Sequence, residues 1–84
     1  MNKLEKEIIS IFKQVFPSIH DLSESEFELL TADDVDGWDS LGQVTLLAVL
    51  EQEFGVSIED DLAVELKSYQ AIVFYLIDVV KVNE

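Results

Sequence analysis

The stretch DGWDSLGQVTLLAVLEQEFG, residues 36–55, decides the fold because it holds both ends of the clearest helix in the chain. Asp36-Gly37 is a pair typical of turns, and Gly55 suits the left-handed position that follows a helix end. Between them, apolar residues recur at helical spacing, which predicts a helix over residues 40–54. Its predicted apolar face comprises Val44, Leu47 and Leu50, joined by Leu46 and Phe54.

The same periodicity predicts a helix on each side of this one. Residues 3–16 form the first, which Pro17 ends because the residue before a proline avoids the helical region. Ser68 can cap the last, which runs through Lys81, and a short helix over Glu59–Leu66 precedes it with acids in its first turn. The apolar positions that indicate the two long helices are Leu4, Ile8, Ile11, Phe12, Val15, Ile72, Tyr75, Leu76 and Val79.

The first connection, residues 17–39, is long for so small a chain. It is rich in Ser, Asp and Glu, yet the apolar residues within it argue against a disordered linker. Ser23 and Glu26 have the pattern of a capping box, which predicts a short helical turn around Glu24–Leu30. The 84 residues therefore predict a single all-α domain over 1–84, a small bundle of three main helices plus one short helix with a long first loop.

Charge is the strongest signal in the composition. Eighteen acids face five lysines, so the formal net charge is −13. Such a chain repels nucleic acid and anionic membranes, favours basic protein partners and, through self-repulsion, favours a monomer. An acidic surface alone, however, more often serves solubility.

Several classes of protein are disfavoured by what the chain lacks. The absence of cysteine excludes thiolate metal sites and fits a reducing cytoplasm. The charged N-terminus does not resemble a signal peptide. No apolar run reaches the roughly 20 residues of a membrane span, so we expect no membrane insertion.

Neither a calcium loop nor a hydrolase triad fits the residues. Aligned on Gly37, the stretch ADDVDGWDSLGQ puts Ala32 and Gln43 where an EF-hand has its first ligand and its bidentate glutamate. A triad needs a histidine near the serine, and the single histidine, His20, lies in the first connection of a chain without a G-x-S-x-G elbow. The sequence therefore predicts no metal site and no catalysis by this chain alone.

Ser40 has two interpretations of equal physical merit. As a helix cap, it would form a capping box with Gln43 three residues on, and the cap would be worth about 1 kcal/mol. Asp39 can cap the helix equally well, and its charge suits the helix dipole. In that arrangement the Ser40 hydroxyl is free, at a helix N-terminus that favours a phosphate ester.

The stretch from Asp39 to Asp61 resembles the centre of an acyl carrier protein. That family has Asp-Ser-Leu at the start of its second helix, an apolar position three after the leucine, a Leu-Glu-x-x-Phe-Gly helix end, and an isoleucine and acids that open a short third helix. The resemblance is close over residues 36–76 and looser elsewhere. The matching residues are Asp39-Ser40-Leu41, Val44, Leu50-Glu51, Phe54-Gly55, Ile58 and Asp60-Asp61, followed by Leu62, Ala63, Leu66, Ser68-Tyr69 and Tyr75.

The resemblance implies a carrier rather than a catalyst. Ser40, with Asp39 as the helix cap beside it, would be esterified by a 4′-phosphopantetheine arm that a phosphopantetheinyl transferase adds from coenzyme A. The thiol of the arm would hold an acyl group as a thioester. Acyl-transferring, condensing or modifying enzymes with basic patches would meet Leu41, Gly42, Thr45, Glu51 and Asp60. The residues expected to line an acyl pocket, or else to pack the core, are Leu46, Leu50, Ile58, Leu62 and Ala63.

Some positions depart from the family pattern. Gly42 and Thr45 stand where carriers of fatty-acid synthesis have acids, Gln52 replaces another acid, and Trp38 is bulkier than the small residue usual before Asp-Ser. These departures favour a specialised carrier for lipid, polyketide or related biosynthesis over housekeeping fatty-acid synthesis. Two alternatives stay open: an aminoacyl or peptidyl carrier that uses the same serine, and a non-carrier acidic helical adaptor that docks on basic partners.

Overall fold

Three long helices and two short ones make up the computed structural model, which describes residues 3–83. Two 3-10 turns, Pro17–Ile19 and Ala32–Asp34, lie in the first connection. The described residues contain no strand, only an isolated β-bridge between Thr31 and Ser68. The helices are α1 Lys3–Val15, α2 Glu24–Glu28, α3 Ser40–Phe54, α4 Asp60–Ala63 and α5 Tyr69–Asn83. The predicted all-α fold with three main helices is confirmed.

The predicted ends of the long helices are accurate to within two residues because local signals fix them. Phe16, which precedes a proline, has a ψ of 84°, so α1 ends at Val15. Gly55 adopts the left-handed conformation (φ 64°, ψ 37°) after α3. The Ser68 hydroxyl accepts a hydrogen bond (3.1 Å) from the Ala71 amide at the start of α5.

The helix predicted over Glu59–Leu66 is shorter in the structure, where it covers Asp60–Ala63. Beyond it, the amides of Glu65 and Leu66 donate to carbonyls three residues earlier, at 2.9 and 3.3 Å. These tighter turns end the α-helix and bring Leu66 into the core. The predicted length was wrong because propensity alone does not show this change of hydrogen bonding.

The long first connection is held by hydrogen bonds of its own. The predicted capping box forms, because Ser23 Oγ accepts from the Glu26 amide (3.3 Å) and the Ser23 amide donates to Glu26 Oε1 (3.0 Å). These hydrogen bonds lower the pKa of the Glu26 carboxyl. The helical turn that follows buries Phe27 completely and ends at Glu28.

The connection also pairs with the chain just before α5. The Leu30 carbonyl accepts a hydrogen bond from the Tyr69 amide (3.0 Å), and the Ala32 amide donates to the Lys67 carbonyl (2.8 Å). These two hydrogen bonds therefore hold the first connection against the segment before α5, and the connection leads into α3.

Phe12 of α1 lies at the centre of an aromatic cluster. Its ring centroid is 5.3 Å from that of Trp38, 5.6 Å from Tyr69 and 6.1 Å from Phe27, all in edge-to-face arrangements. Trp38 also stacks on Phe16 at 5.5 Å. Trp38 is only 5% exposed, so its unusual bulk fills the core between α1 and the start of α3.

One prediction about α3 was wrong, because Val44 lies outside the core with 66% of its surface exposed. The buried residues of α3 are Leu46, Leu47 and Leu50. Since successive helical residues are rotated by about 100°, a face centred on these leucines includes Gln43 and excludes Val44.

Tyr69 offers a test of this core. It is 3% exposed, and its hydroxyl has no hydrogen-bond partner among the described residues. We expect Tyr69→Phe to raise the free energy of unfolding by about 1 kcal/mol at neutral pH, because it removes a buried polar group that makes no hydrogen bond. Urea denaturation measures this change.

The pH dependence of stability gives a second measurement on the same variant. Burial, and then the charges of Glu5, Glu28 and Glu24, raise the pKa of Tyr69 from 10.0 to about 12. The unfolded chain therefore ionises first, and the free energy of unfolding falls as the pH rises from 10.0 through about 12. Tyr69→Phe should lack this loss.

Tyr75→Phe is the matched control, because it removes a hydroxyl that donates to the Ser57 carbonyl (3.2 Å). We expect it to be slightly less stable than the wild type and to keep the pH dependence that arises from Tyr69. An unchanged pH dependence in Tyr69→Phe would contradict the buried position of the hydroxyl.

Candidate functional site

Asp39, not Ser40, caps α3. Its Oδ1 atom accepts a hydrogen bond from the Gly42 amide (2.9 Å), and its carbonyl accepts one from the Gln43 amide (2.8 Å). Ser40 is therefore the first residue of the helix. Its side chain is exposed, and its hydroxyl forms no hydrogen bond with the described residues. Of the two arrangements that the sequence allows, the structure has the one that frees the Ser40 hydroxyl.

The start of α3 packs directly against the turn at Gly37, whose φ is 89°. A Cβ atom at Gly42 would lie 2.0 Å from the Gly37 carbonyl oxygen and 3.0 Å from the Phe16 ring. Packing therefore requires glycine at position 42. This local cause accounts for the missing acid there, so Gly42 does not by itself indicate unusual partners.

Gln43 is a polar residue on the buried face of α3, and its side chain forms three hydrogen bonds. Its Oε1 accepts from Trp38 Nε1 (2.5 Å), and its Nε2 donates to the carbonyls of Ala63 and Leu66 (both 2.8 Å). The side-chain amide of Gln43 thus connects Trp38, which precedes the Asp39 cap, to the end of α4. The capping box that would pair Gln43 with Ser40 does not form, because the side chain is used in these three bonds.

A cavity of about 530 Å³ lies beside Ser40, between α3 and α4. This volume is typical of a site for a small molecule. Its apolar wall includes Trp38, Val44, Leu47, Ala63 and Val64, and its charged side chains are Asp33, Asp39, Asp60 and Lys67. The wall therefore combines apolar surface with three carboxylates and one ammonium group.

The five residues predicted to line an acyl pocket fall into two groups. Ala63 borders the cavity beside Ser40. Leu46 and Leu50 are fully buried in the core, and Ile58 and Leu62 pack against it while partly exposed. That these five residues bind an acyl chain stays a prediction.

The residues predicted to meet partner enzymes differ in exposure. Leu41 is 75% exposed, and Asp60 is also open to solvent. The Thr45 hydroxyl donates to the Leu41 carbonyl (3.0 Å). Glu51 is half-buried and accepts a hydrogen bond from the Ile58 amide (2.8 Å), so one of its oxygens holds the loop after α3.

Two exposed apolar residues of this region were not predicted from the sequence. Val44 and Val64 are 66% and 65% exposed, and both line the cavity beside Ser40. Helical spacing alone placed Val44 in the core, and no pattern marked Val64. Both therefore add exposed apolar surface to the wall of this cavity.

Clusters of metal-ligating side chains are absent from the described residues. His20 lies in an exposed turn, where its Nδ1 is 3.1 Å from the Asp21 carboxylate. None of the helices that the structure describes has the length and apolar character to cross a membrane.

Comparison with known families gives the class of the protein. The family model described as the phosphopantetheine attachment site matches residues 6–76, which is most of the chain and includes Ser40. The chain therefore belongs to this family, and the resemblance to acyl carrier proteins is confirmed. No curated protein and no solved structure matches the chain significantly.

The cofactor follows from the family, whose domains are attachment sites for 4′-phosphopantetheine. Such carrier domains interact with the phosphopantetheinyl transferase that adds the group and with the partner enzymes that use it. The residues present fit this group, because an exposed hydroxyl stands at the first position of a 15-residue helix whose N-terminus favours a phosphate. When bound, the group supplies a thiol, which this cysteine-free chain does not have.

Replacing Gly42 with alanine tests the close contact with Gly37. Alanine is the better helix former by about 1 kcal/mol, so the variant would stabilise an isolated helix. Here the added Cβ meets the Gly37 carbonyl, and such overpacking costs about 3 kcal/mol. We therefore expect the free energy of unfolding to fall by about 2 kcal/mol in urea denaturation.

Gly55→Ala is the control, because a Cβ at Gly55 meets no atom within 4 Å while the φ of 64° still disfavours alanine. We expect a loss of about 1 kcal/mol there from the backbone alone. If Gly42→Ala proves at least as stable as the wild type, the turn at Gly37 does not pack against α3 as described.

Proposed function

We propose that 4′-phosphopantetheine is attached to Ser40 and that the protein carries acyl intermediates as thioesters on this arm. The observation that supports the attachment point is the Asp39 cap, which leaves the Ser40 hydroxyl exposed and without a hydrogen bond to the described residues. The dipole of α3 and the backbone amides of its first turn favour a phosphate at this position.

Other serines offer poorer positions. The hydroxyls of Ser23 and Ser68 accept helix amides, so an ester at either would remove a cap. Ser10 lies inside α1. Among the described serines, Ser40 combines a free hydroxyl with the first position of a long helix.

The chain itself holds and presents the arm and is not an enzyme. The ester forms at Ser40 Oγ with loss of the hydroxyl proton and release of the nucleotide half of coenzyme A. The catalytic groups for this transfer belong to the phosphopantetheinyl transferase. Enzymes of lipid, polyketide or related biosynthesis then act on the cargo in turn.

The surface beside Ser40 suits partner enzymes that have basic patches. Leu41, Val44 and Asp60 are exposed there, and the chain has a net charge of −13. Attraction between opposite charges speeds association, and a small apolar contact keeps each complex weak enough to release the carrier. The same charge favours a monomer, and the lack of cysteine fits a cytoplasmic protein.

Mass spectrometry tests the attachment point. The apo protein is incubated with coenzyme A and a broad-specificity phosphopantetheinyl transferase. We expect the wild type to gain the mass of one phosphopantetheine group and Ser40→Ala to gain none. Proteolysis should place the added mass on the peptide that contains Ser40.

Ser57→Ala is the matched control, because Ser57 is an exposed serine in the loop after α3. It should gain the full mass. A gain in Ser40→Ala equal to that of the wild type would exclude Ser40 as the attachment point. The absence of any gain in the wild type would contradict the carrier function itself.

A further inference from the structure

Three residues that line the cavity beside Ser40 are joined by side-chain hydrogen bonds. Trp38, Gln43 and Ala63 all line this cavity. The Gln43 side-chain amide joins the other two, because it accepts from the Trp38 indole and donates to the Ala63 carbonyl. A third bond, to the Leu66 carbonyl, anchors the same amide beyond α4. These three hydrogen bonds form the Gln43 bridge.

The hydrophobic core continues beyond the bridge along the same face of α3. Leu46 and Leu50 follow Gln43 at helical spacing of about one and two turns, and neither has any exposed surface. A cargo chain that passed from the cavity toward Leu46 along this face of α3 would have to displace the Gln43 side chain and break its hydrogen bonds.

Each group of the bridge has its hydrogen bonds satisfied. The Gln43 amide uses its oxygen and both N–H groups, and the Trp38 indole uses its single donor. An alkyl chain offers neither donor nor acceptor, so its insertion would leave the largely buried Trp38 N–H unpaired. A short group that stays in the cavity leaves all three bonds intact.

We propose that the Gln43 bridge sets the class of cargo: this carrier holds short acyl groups in the cavity beside Ser40 and keeps long alkyl chains out of its core. The inference rests on the carrier function proposed above. The cavity suits a short acyl group, because Val44, Leu47 and Val64 give it an apolar wall outside the Gln43 bridge.

NMR spectra of the protein loaded at Ser40 from acetyl-coenzyme A or octanoyl-coenzyme A test the proposal. The chain has one tryptophan, so the Trp38 indole N–H gives a single signal that reports on the bridge. We expect the two loaded forms to share the same indole shift, the same Leu46 and Leu50 methyl shifts, and Tm values that agree within about 1 °C. Movement of these signals in the octanoyl form, with a higher Tm, would overturn the proposal.

Gln43→Ala removes the bridge. In this variant we expect octanoyl, but not acetyl, to move the Leu46 and Leu50 methyl signals. Gln52→Ala changes an exposed glutamine of the same helix and should behave as the wild type. A folded Gln43→Ala variant that excludes octanoyl as the wild type does would show that another feature closes the core. If Gln43→Ala does not fold, the comparison of the two loaded wild-type forms decides.

A second experiment tests the proposal without a transferase. Because the chain lacks cysteine, Ser40→Cys carries a unique thiol. An octyl or methyl methanethiosulfonate converts this thiol to an alkyl disulfide and releases methanesulfinic acid. We expect identical Trp38, Leu46 and Leu50 signals for the octyl and methyl forms, and shifted leucine signals only when Gln43→Ala is added. Failure to load from coenzyme A counts against the carrier function, whereas insertion of the octyl group counts against the Gln43 bridge.

Discussion

The Gln43 bridge is the interaction on which the surroundings of Ser40 depend. Gln43 stands on the buried face of α3, where an unpaired amide would be costly, and its three hydrogen bonds satisfy it. They fix α3 relative to Trp38 and to the end of α4. Trp38 in turn packs edge-to-face on Phe12, so the bridge connects the site to the aromatic core.

Two further constraints act on the same turn of helix. The Gly37 carbonyl leaves room only for glycine at position 42, and the amide of Gly42 donates to the Asp39 carboxylate. Together they determine where α3 begins and leave the Ser40 hydroxyl outside the capping arrangement. The matched family attaches phosphopantetheine, and the free hydroxyl is the reason for proposing Ser40 as the attachment point.

The sequence predicts those features that depend on neighbouring residues. Gly55 and Ser68 mark helix ends locally, so the boundaries of α3 and α5 were predicted well. The partners of Gln43 lie 20 and 23 residues away, and no local pattern shows them. Val44 was placed in the core because spacing gives a period but not the rotation of the helix. Local capping preference left the choice between Asp39 and Ser40 open, since both suit the position, and only the family resemblance favoured Asp39, which is the cap in the structure.

Hydrogen exchange of the Trp38 indole N–H tests most directly whether the Gln43 bridge exists. In the wild type we expect this group to exchange as slowly as the backbone amides of the core helices, because it is buried and bonded to Gln43. Gln43→Ala should speed the exchange by at least about tenfold, and Gln52→Ala should leave it unchanged. An indole N–H that exchanges in the wild type as fast as that of free tryptophan would contradict the account.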